Sequence, residues 1–349
     1  MKRELKTRRL CLAMLAASAL GLAVNNAALA NARIYDRALA STGWIIVPQA
    51  KSTAIGTCWV VDQERKLVVT SLHVMKGADE LLVYFPQHAE KRLIVESASY
   101  LRNVPAILGR VVAKDEPRDL ALIQLETLPE GIAALPLARD SARPGEDVHS
   151  IGNSGLAKNG GVLWRYTRGN VRQVYVRKTK GSEVRILETQ SPVNQGDSGG
   201  ALLNDQGEVV GVAAAYDPKE RLVSHSIDVN DVRVFVKDGL AALDQNHDAE
   251  EPRYHAARVQ PLVGSWKIVA KLLDGTEVRG EAEFRKDGTY QLLNHGDSED
   301  EKSQQGRFAY ANGVLWLISD DGASFFSLDW GDKNRFSCKK GEVELSFAR

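Results

Sequence analysis

Ser191-Pro-Val-Asn-Gln-Gly-Asp-Ser-Gly-Gly200 sets a small hydroxyl, Ser198, in a turn built around Gly196, Gly199 and Gly200. Glycines let a backbone approach a ligand closely and aim its N–H groups at a carbonyl oxygen. That arrangement suits acyl transfer and carries a requirement with it. A serine hydroxyl is a weak nucleophile at neutral pH, so a base and a carboxylate to orient it are expected elsewhere in the chain.

Both lie upstream. Leu67-Val-Val-Thr-Ser-Leu-His-Val74 reads as a buried strand with His73 at its tip. Asp115-Glu-Pro-Arg-Asp-Leu-Ala-Leu-Ile-Gln-Leu125 puts Asp119 just before an apolar strand, where a sheet rather than a mobile loop would hold its carboxylate. Each piece alone has an ordinary structural explanation: a strand-end histidine, an aspartate turn former, a glycine loop. His73, Asp119 and Ser198 in this order make the chemical reading the stronger one.

Thr70-Ser-Leu-His-Val74, Asp119-Leu-Ala-Leu-Ile123 and Gly196-Asp-Ser-Gly-Gly200 together resemble the motifs of trypsin-like serine peptidases of the bacterial, HtrA-like branch, over roughly residues 36–240. The resemblance implies an all-β fold of two six-stranded antiparallel β-barrels with a cleft between them. It implies a serine endopeptidase with His73 as general base, Asp119 as the orienting acid and Ser198 as nucleophile, the backbone N–H groups of Gly196 and Ser198 forming the oxyanion hole. Protein or peptide chains would be the substrates, with no cofactor and no metal. The alternative from another class is a non-catalytic protein- or peptide-binding module that uses a peptidase-like groove.

The same motif match sets Pro192 where trypsins that cut after Lys or Arg carry an Asp. With Ala213, Ala214, Ala215 and Tyr216 it outlines a pocket for small aliphatic P1 side chains, because a cation buried there would have no partner. His225 is placed to meet an acidic side chain, although a partly exposed strand residue is the plainer expectation. Asp197 could pair with a new N-terminus cut at Arg33-Ile34. Ile34-Tyr-Asp36 lacks the usual glycines, so nearby backbone N–H groups are its expected partners.

The chain of 349 residues balances 45 Lys and Arg against 45 Asp and Glu. Its N-terminus departs from that balance. Lys2, Arg3, Lys6, Arg8 and Arg9 precede the apolar run from Leu10 to Val24, and Ala28-Leu-Ala30 offers small residues for cleavage. Residues 1–30 therefore read as a signal peptide for export to the periplasm or beyond, with no stable membrane anchor after cleavage. Thr7-Arg-Arg-Leu-Cys-Leu12 faintly resembles a twin-arginine signal, but an ordinary Sec signal is the expectation. The remaining chain carries a net charge of −4, which implies no nucleic-acid partner. Cys58 and Cys338 also remain. Two buried thiols are expected, because Cys58 lies in the apolar run Cys58-Trp-Val-Val61; a bridge between them is the alternative.

Many short β-rich runs separated by Gly, Pro and Asp fill residues 36–240, and Asp231 to Leu243 reads as a closing helix. Asp244-Gln-Asn-His-Asp-Ala-Glu-Glu-Pro252 marks a polar linker, assigned to 244–258. A second β-unit occupies 260–349, with hairpin signals at Lys286-Asp-Gly288 and Ala311-Asn-Gly313. Gly264-Ser-Trp266 resembles the opening motif of small bacterial lipocalin-like domains, in which a basic residue from the last strand covers the tryptophan; Arg349 is placed for that. The HtrA-like branch carries a PDZ domain at this point, and no PDZ-like carboxylate-binding loop is present in the sequence. The unit is expected to fold separately, to supply no catalytic group, and to offer a face for a partner or an apolar ligand.

Overall fold

The computed structural model describes residues 31–49, 53–153, 161–179, 181–216, 223–245, 262–272, 274–295, 303–320, 322–340 and 343–349. The expected signal peptide, 1–30, lies outside them. So do residues 246–258 of the expected linker, whereas Asp244 and Gln245 still belong to a helix.

Strands β1 (Thr42–Pro48), β2 (Thr53–Asp62), β3 (Leu67–Ser71), β4 (Glu80–Tyr84), β5 (Ile107–Asp115) and β6 (Leu120–Leu125) close into a barrel in the order β1-β2-β3-β6-β5-β4. Strands β7 (Asp147–Gly152), β8 (Arg165–Thr179), β9 (Ser182–Gln190), β10 (Ala201–Leu203), β11 (Val209–Tyr216) and β12 (Ser224–Asp228) close into a second one, β7-β8-β9-β12-β11-β10. The two orders are the same, and every pairing is antiparallel. The all-β, two-barrel fold thus stands as the resemblance implied. Helix α1 (31–39) precedes the first barrel, α2 (Ser97–Asn103) follows β4, and α3 (Val229–Gln245) follows β12.

Strand alternation divides the apolar residues into three bodies. Ile45, Val47, Cys58, Val60, Val68 and Val83 fill the first barrel, and Val148, Val171, Leu187, Leu202 and Val210 fill the second. The outward residues of the same strands, among them Trp44, Trp59, Leu122, Ile186 and Ile227, join a third cluster that seals the seam around the barrels. All seven residues of β1 are buried for this reason, one set facing each way.

The C-terminal unit is a nine-stranded antiparallel meander: β13 (Gly264–Lys271), β14 (Glu277–Phe284), β15 (Thr289–His295), β16 (Ser303–Ala311), β17 (Val314–Ser319), β18 (Gly322–Ser327), β19 (Asp329–Asp332), β20 (Arg335–Lys340) and β21 (Val343–Ala348). Its order is β18-β17-β16-β15-β14-β13-β21-β20-β19, and β18 comes back against β20, so the sheet nearly closes. Aromatic rings pack its interior: Phe336 lies 4.7 Å from Trp266 and 4.3 Å from Phe347 between centroids. The Arg349 guanidinium sits 4.2 Å above Trp266 and donates to the Val263 carbonyl at 2.6 Å.

Strands β16 and β17 dock this sheet on β4 and α2 of the first barrel. Val-Leu-Trp-Leu-Ile-Ser319 is buried at all six positions because it faces two cores. Leu315 and Leu317 point into the sheet's own interior, while Trp316, Ile318 and Ala311 join the seam cluster with Trp44 and Tyr100. The Trp316 indole N–H has no hydrogen-bond partner among the described residues, so its contribution there is apolar contact alone. Trp316→Ala is expected to lower stability by about 3–5 kcal/mol, the range for truncating a large buried aromatic. Urea unfolding measures it; a change below about 0.5 kcal/mol, the scatter typical of surface sites, would mean the docking contributes little.

Among the described residues Cys58 and Cys338 are free thiols, one in each of two separate interiors. Burial pushes the Cys58 thiol far above its ordinary range and the Cys338 thiol up to about 12.

Candidate active site

The first barrel supplies a histidine and an aspartate. Strand β3 ends at Ser71, and a single 3-10 turn, Leu72–Met75, carries His73 away from the sheet. Asp119 precedes β6 with φ of 54°, a left-handed conformation that aspartate tolerates better than most residues. That conformation is held by Leu72 N–H donating to the Asp119 carbonyl at 2.9 Å. One Asp119 oxygen then takes the His73 backbone N–H at 2.8 Å, and the other lies 2.6 Å from His73 Nδ1. Two contacts from one carboxylate fix both the position and the plane of the imidazole. Its side chain is still 44% exposed, so the opposite ring edge is open to a ligand.

The second barrel supplies the serine loop between β9 and β10, and the first barrel clamps it. Thr57 N–H donates to the Ser198 carbonyl at 2.9 Å, and the Thr57 hydroxyl to the Gly196 carbonyl at 2.8 Å. Gly199 N–H donates to the Ala213 carbonyl at 2.7 Å, which also accepts the Ser71 hydroxyl at 3.0 Å. Gly199 has φ of 87°, and a Cβ there would lie 2.1 Å from Thr70 Oγ1 and 2.2 Å from the Thr57 carbonyl. Only glycine fits. The Asp197 carboxylate turns inward and accepts the Asn194 backbone N–H at 2.7 Å, in keeping with the backbone partner expected from the sequence. Burial raises its pKa, partly offset by that bond.

His73, Asp119 and Ser198 line one cleft of about 790 Å³, together with Thr53, Ala54, Ile55, Val74, Lys76, Asn194, Gln195, Gly196 and Ala214. In this state the Ser198 hydroxyl donates to the Ala214 carbonyl at 3.3 Å. Residues 56–212, which span all three side chains, match the family model described as a trypsin-like peptidase domain. The chain carries a trypsin-like peptidase domain.

Relatives of this peptidase domain include the periplasmic serine endoprotease DegP of Salmonella typhimurium, 28% identical over 48% of this chain and 31% of that protein. The serine protease Do-like HtrB of Bacillus subtilis is 28% identical over 56% of this chain and 40% of that protein. The chain therefore spans less than half the length of these curated relatives. Among solved structures, the Rv3671c protease of M. tuberculosis in its active form aligns with a TM-score of 0.47 and 21% identity, over 60% of this chain and 85% of that one.

The pocket expected from the sequence divides. Ala214 lines the cleft, but Ala213 points the other way and packs with Val148 and Leu187 inside the second barrel. The ladder with β12 shifts register between Ala213 and Ala215, so Ala213 and Ala214 do not share one wall. Pro192 is exposed and does not reach the cleft wall. His225 is a partly exposed strand residue, 3.8 Å from Glu188, and is likewise absent from the cleft lining. The backbone of Ala215 and Tyr216 pairs with His225 and Ser224; their side chains lie outside the described part of the structure. Sequence reading missed Thr53, Ala54, Ile55 and Lys76 as lining residues, and Thr57, Thr70 and Ser71 as supports. The polar run Thr70-Ser71 inside an apolar strand was the available signal for the last two.

Proposed function

We propose that the chain is an exported serine endopeptidase that cleaves peptide bonds through Ser198, His73 and Asp119. The observation that carries this reading is the doubly held His73–Asp119 pair facing the Ser198 loop in one open cleft. Substrate binding turns the Ser198 hydroxyl from the Ala214 carbonyl to His73 Nε2. Ser198 Oγ then attacks the scissile carbonyl carbon as its proton passes to His73, whose new charge Asp119 stabilises. The N–H groups of Gly196 and Ser198 receive the oxyanion. His73 returns the proton to the leaving amine, and water, activated by the same imidazole, releases the acyl group from Ser198.

Export is supported by the basic and apolar N-terminal stretch and by relatives whose names describe them as periplasmic. The 260–349 unit reads as a lipocalin-like accessory domain, a reading supported by its antiparallel meander and the Arg349–Trp266 contact. Labelling of wild-type protein by a fluorophosphonate tests the activity. A non-catalytic binding module would not be labelled at pH 8, and that result would end the peptidase reading.

Small aliphatic P1 residues are expected to be preferred. Asp119 is the one acid lining the cleft among the described residues, and it is engaged by His73, so a cationic P1 side chain would find no free partner. Ala214 and Ile55 offer apolar walls of modest size. Cleavage of a peptide library should therefore be dominated by Ala or Val before the scissile bond. Dominant cleavage after Arg or Lys would overturn this assignment.

A further inference from the structure

The turn joining β16 to β17 is Asn312-Gly313, at φ of 52° and 75°, the left-handed pair that a two-residue hairpin needs. The Asn312 side chain turns away from its own hairpin and into the first barrel. Its Nδ2 donates to the Glu80 carbonyl at 2.8 Å and to the Pro48 carbonyl at 3.3 Å. Its Oδ1 accepts the Glu80 N–H at 3.1 Å, and its own N–H donates to Glu80 Oε2 at 3.0 Å. The Glu80 residue is only 8% exposed, so this carboxylate sits where losing a hydrogen bond is costly.

Pro48 ends β1 and Glu80 begins β4. The chain beyond Pro48 leads to Thr53, Ala54 and Ile55, and the chain before Glu80 comes from His73 through Lys76. All of these line the cleft. Gln49 Nε2 donates to the Lys76 carbonyl at 3.1 Å, so the two segments are also tied to each other on the cleft side. One amide from the C-terminal sheet therefore holds both roots of one cleft wall.

We infer that Asn312 is a positioning residue of the peptidase cleft: through Glu80 and Pro48 it sets the wall formed by Thr53, Ala54, Ile55 and Lys76. The C-terminal sheet thereby governs how an extended substrate lies along that wall, while the His73–Asp119 pair and Ser198 keep their own supports. This rests on the reading of the cleft as a peptidase site.

The test uses the full chain with Asn312→Gly, which keeps the left-handed turn and removes the amide, and Asn312→Asp, which keeps the shape but sets an oxygen against two carbonyls. For a peptide long enough to cross the cleft, KM is expected to rise about tenfold in the glycine variant, the effect of roughly one net hydrogen bond, and further in the aspartate variant. Fluorophosphonate labelling and kcat should stay within about twofold of wild type, because a small phosphonylating probe does not use that wall. Unchanged KM in both variants overturns the proposal. Labelling that falls in step with hydrolysis also overturns it, since Asn312 would then act on the whole site. Wild-type protein that does not label at all instead removes the peptidase reading beneath it. Should both variants fail to fold, Glu80→Gln retains the backbone contacts and weakens the bond that the carboxylate takes from the Asn312 N–H. An increase in KM of about threefold is expected there, and no increase overturns the proposal.

Discussion

Replacing Ser198 with alanine is expected to abolish fluorophosphonate labelling and to lower kcat on a peptide by about 10⁶, the scale of nucleophile loss in a serine peptidase. The variant should remain folded. The loop around position 198 is held by main-chain contacts, the Ser198 carbonyl to Thr57 N–H and Gly199 N–H to the Ala213 carbonyl, and alanine keeps them all. Among the described residues the bond lost is the long contact from the hydroxyl to the Ala214 carbonyl. An unfolding midpoint equal to wild type, with turnover gone, is the expected pair of results. Turnover within about a hundredfold of wild type, well short of that loss, would mean that another group attacks.

Asp119→Asn should lower kcat by about 10⁴, the penalty when the orienting group stabilises the wrong imidazole tautomer in the chymotrypsin-type triad. Asparagine suits this position. It accepts a left-handed φ as readily as aspartate does, so the backbone at 54° is preserved. Its amide can still accept the His73 N–H through its oxygen, but then presents NH₂ to Nδ1. Because Nδ1 must accept that hydrogen bond, its proton moves to Nε2, the nitrogen that Ser198 needs as a base. Raising the pH should not restore the rate, since the defect is in tautomer and not in charge. A variant within tenfold of wild type would mean that a different residue orients His73.

Legibility in the sequence followed the strength of local pattern. The strand Leu120–Leu125 was legible because the turn former Asp119 is followed at once by an apolar run. Asn312-Gly313 announced its hairpin in the same way. The first half of β8, Arg165-Tyr-Thr-Arg-Gly-Asn170, gave no such signal, since its outer face meets water and its ladder with β7 is made by backbone groups. Helix α2 and strands β18 to β20 are short or mixed in polarity, and contacts far along the chain fix them. For the site, the glycine loop and the histidine-bearing strand were legible because their chemistry is local. The cleft wall was not: Thr53, Ala54 and Ile55 become lining residues only when the two barrels meet.

Cys58 and Cys338 give this chain a property that its barrels do not advertise. Each thiol is sealed in a different interior and held in its unreactive, protonated form. Among the described residues Cys58 and Cys338 form no cross-link, so the barrels and the nine-stranded sheet are held by non-covalent packing alone. The same burial makes each sulfur a reporter of one body. A water-soluble maleimide reaches Cys58 only when the first barrel opens and Cys338 only when the nine-stranded sheet opens, so the two alkylation rates time the breathing of the two halves separately within a single molecule.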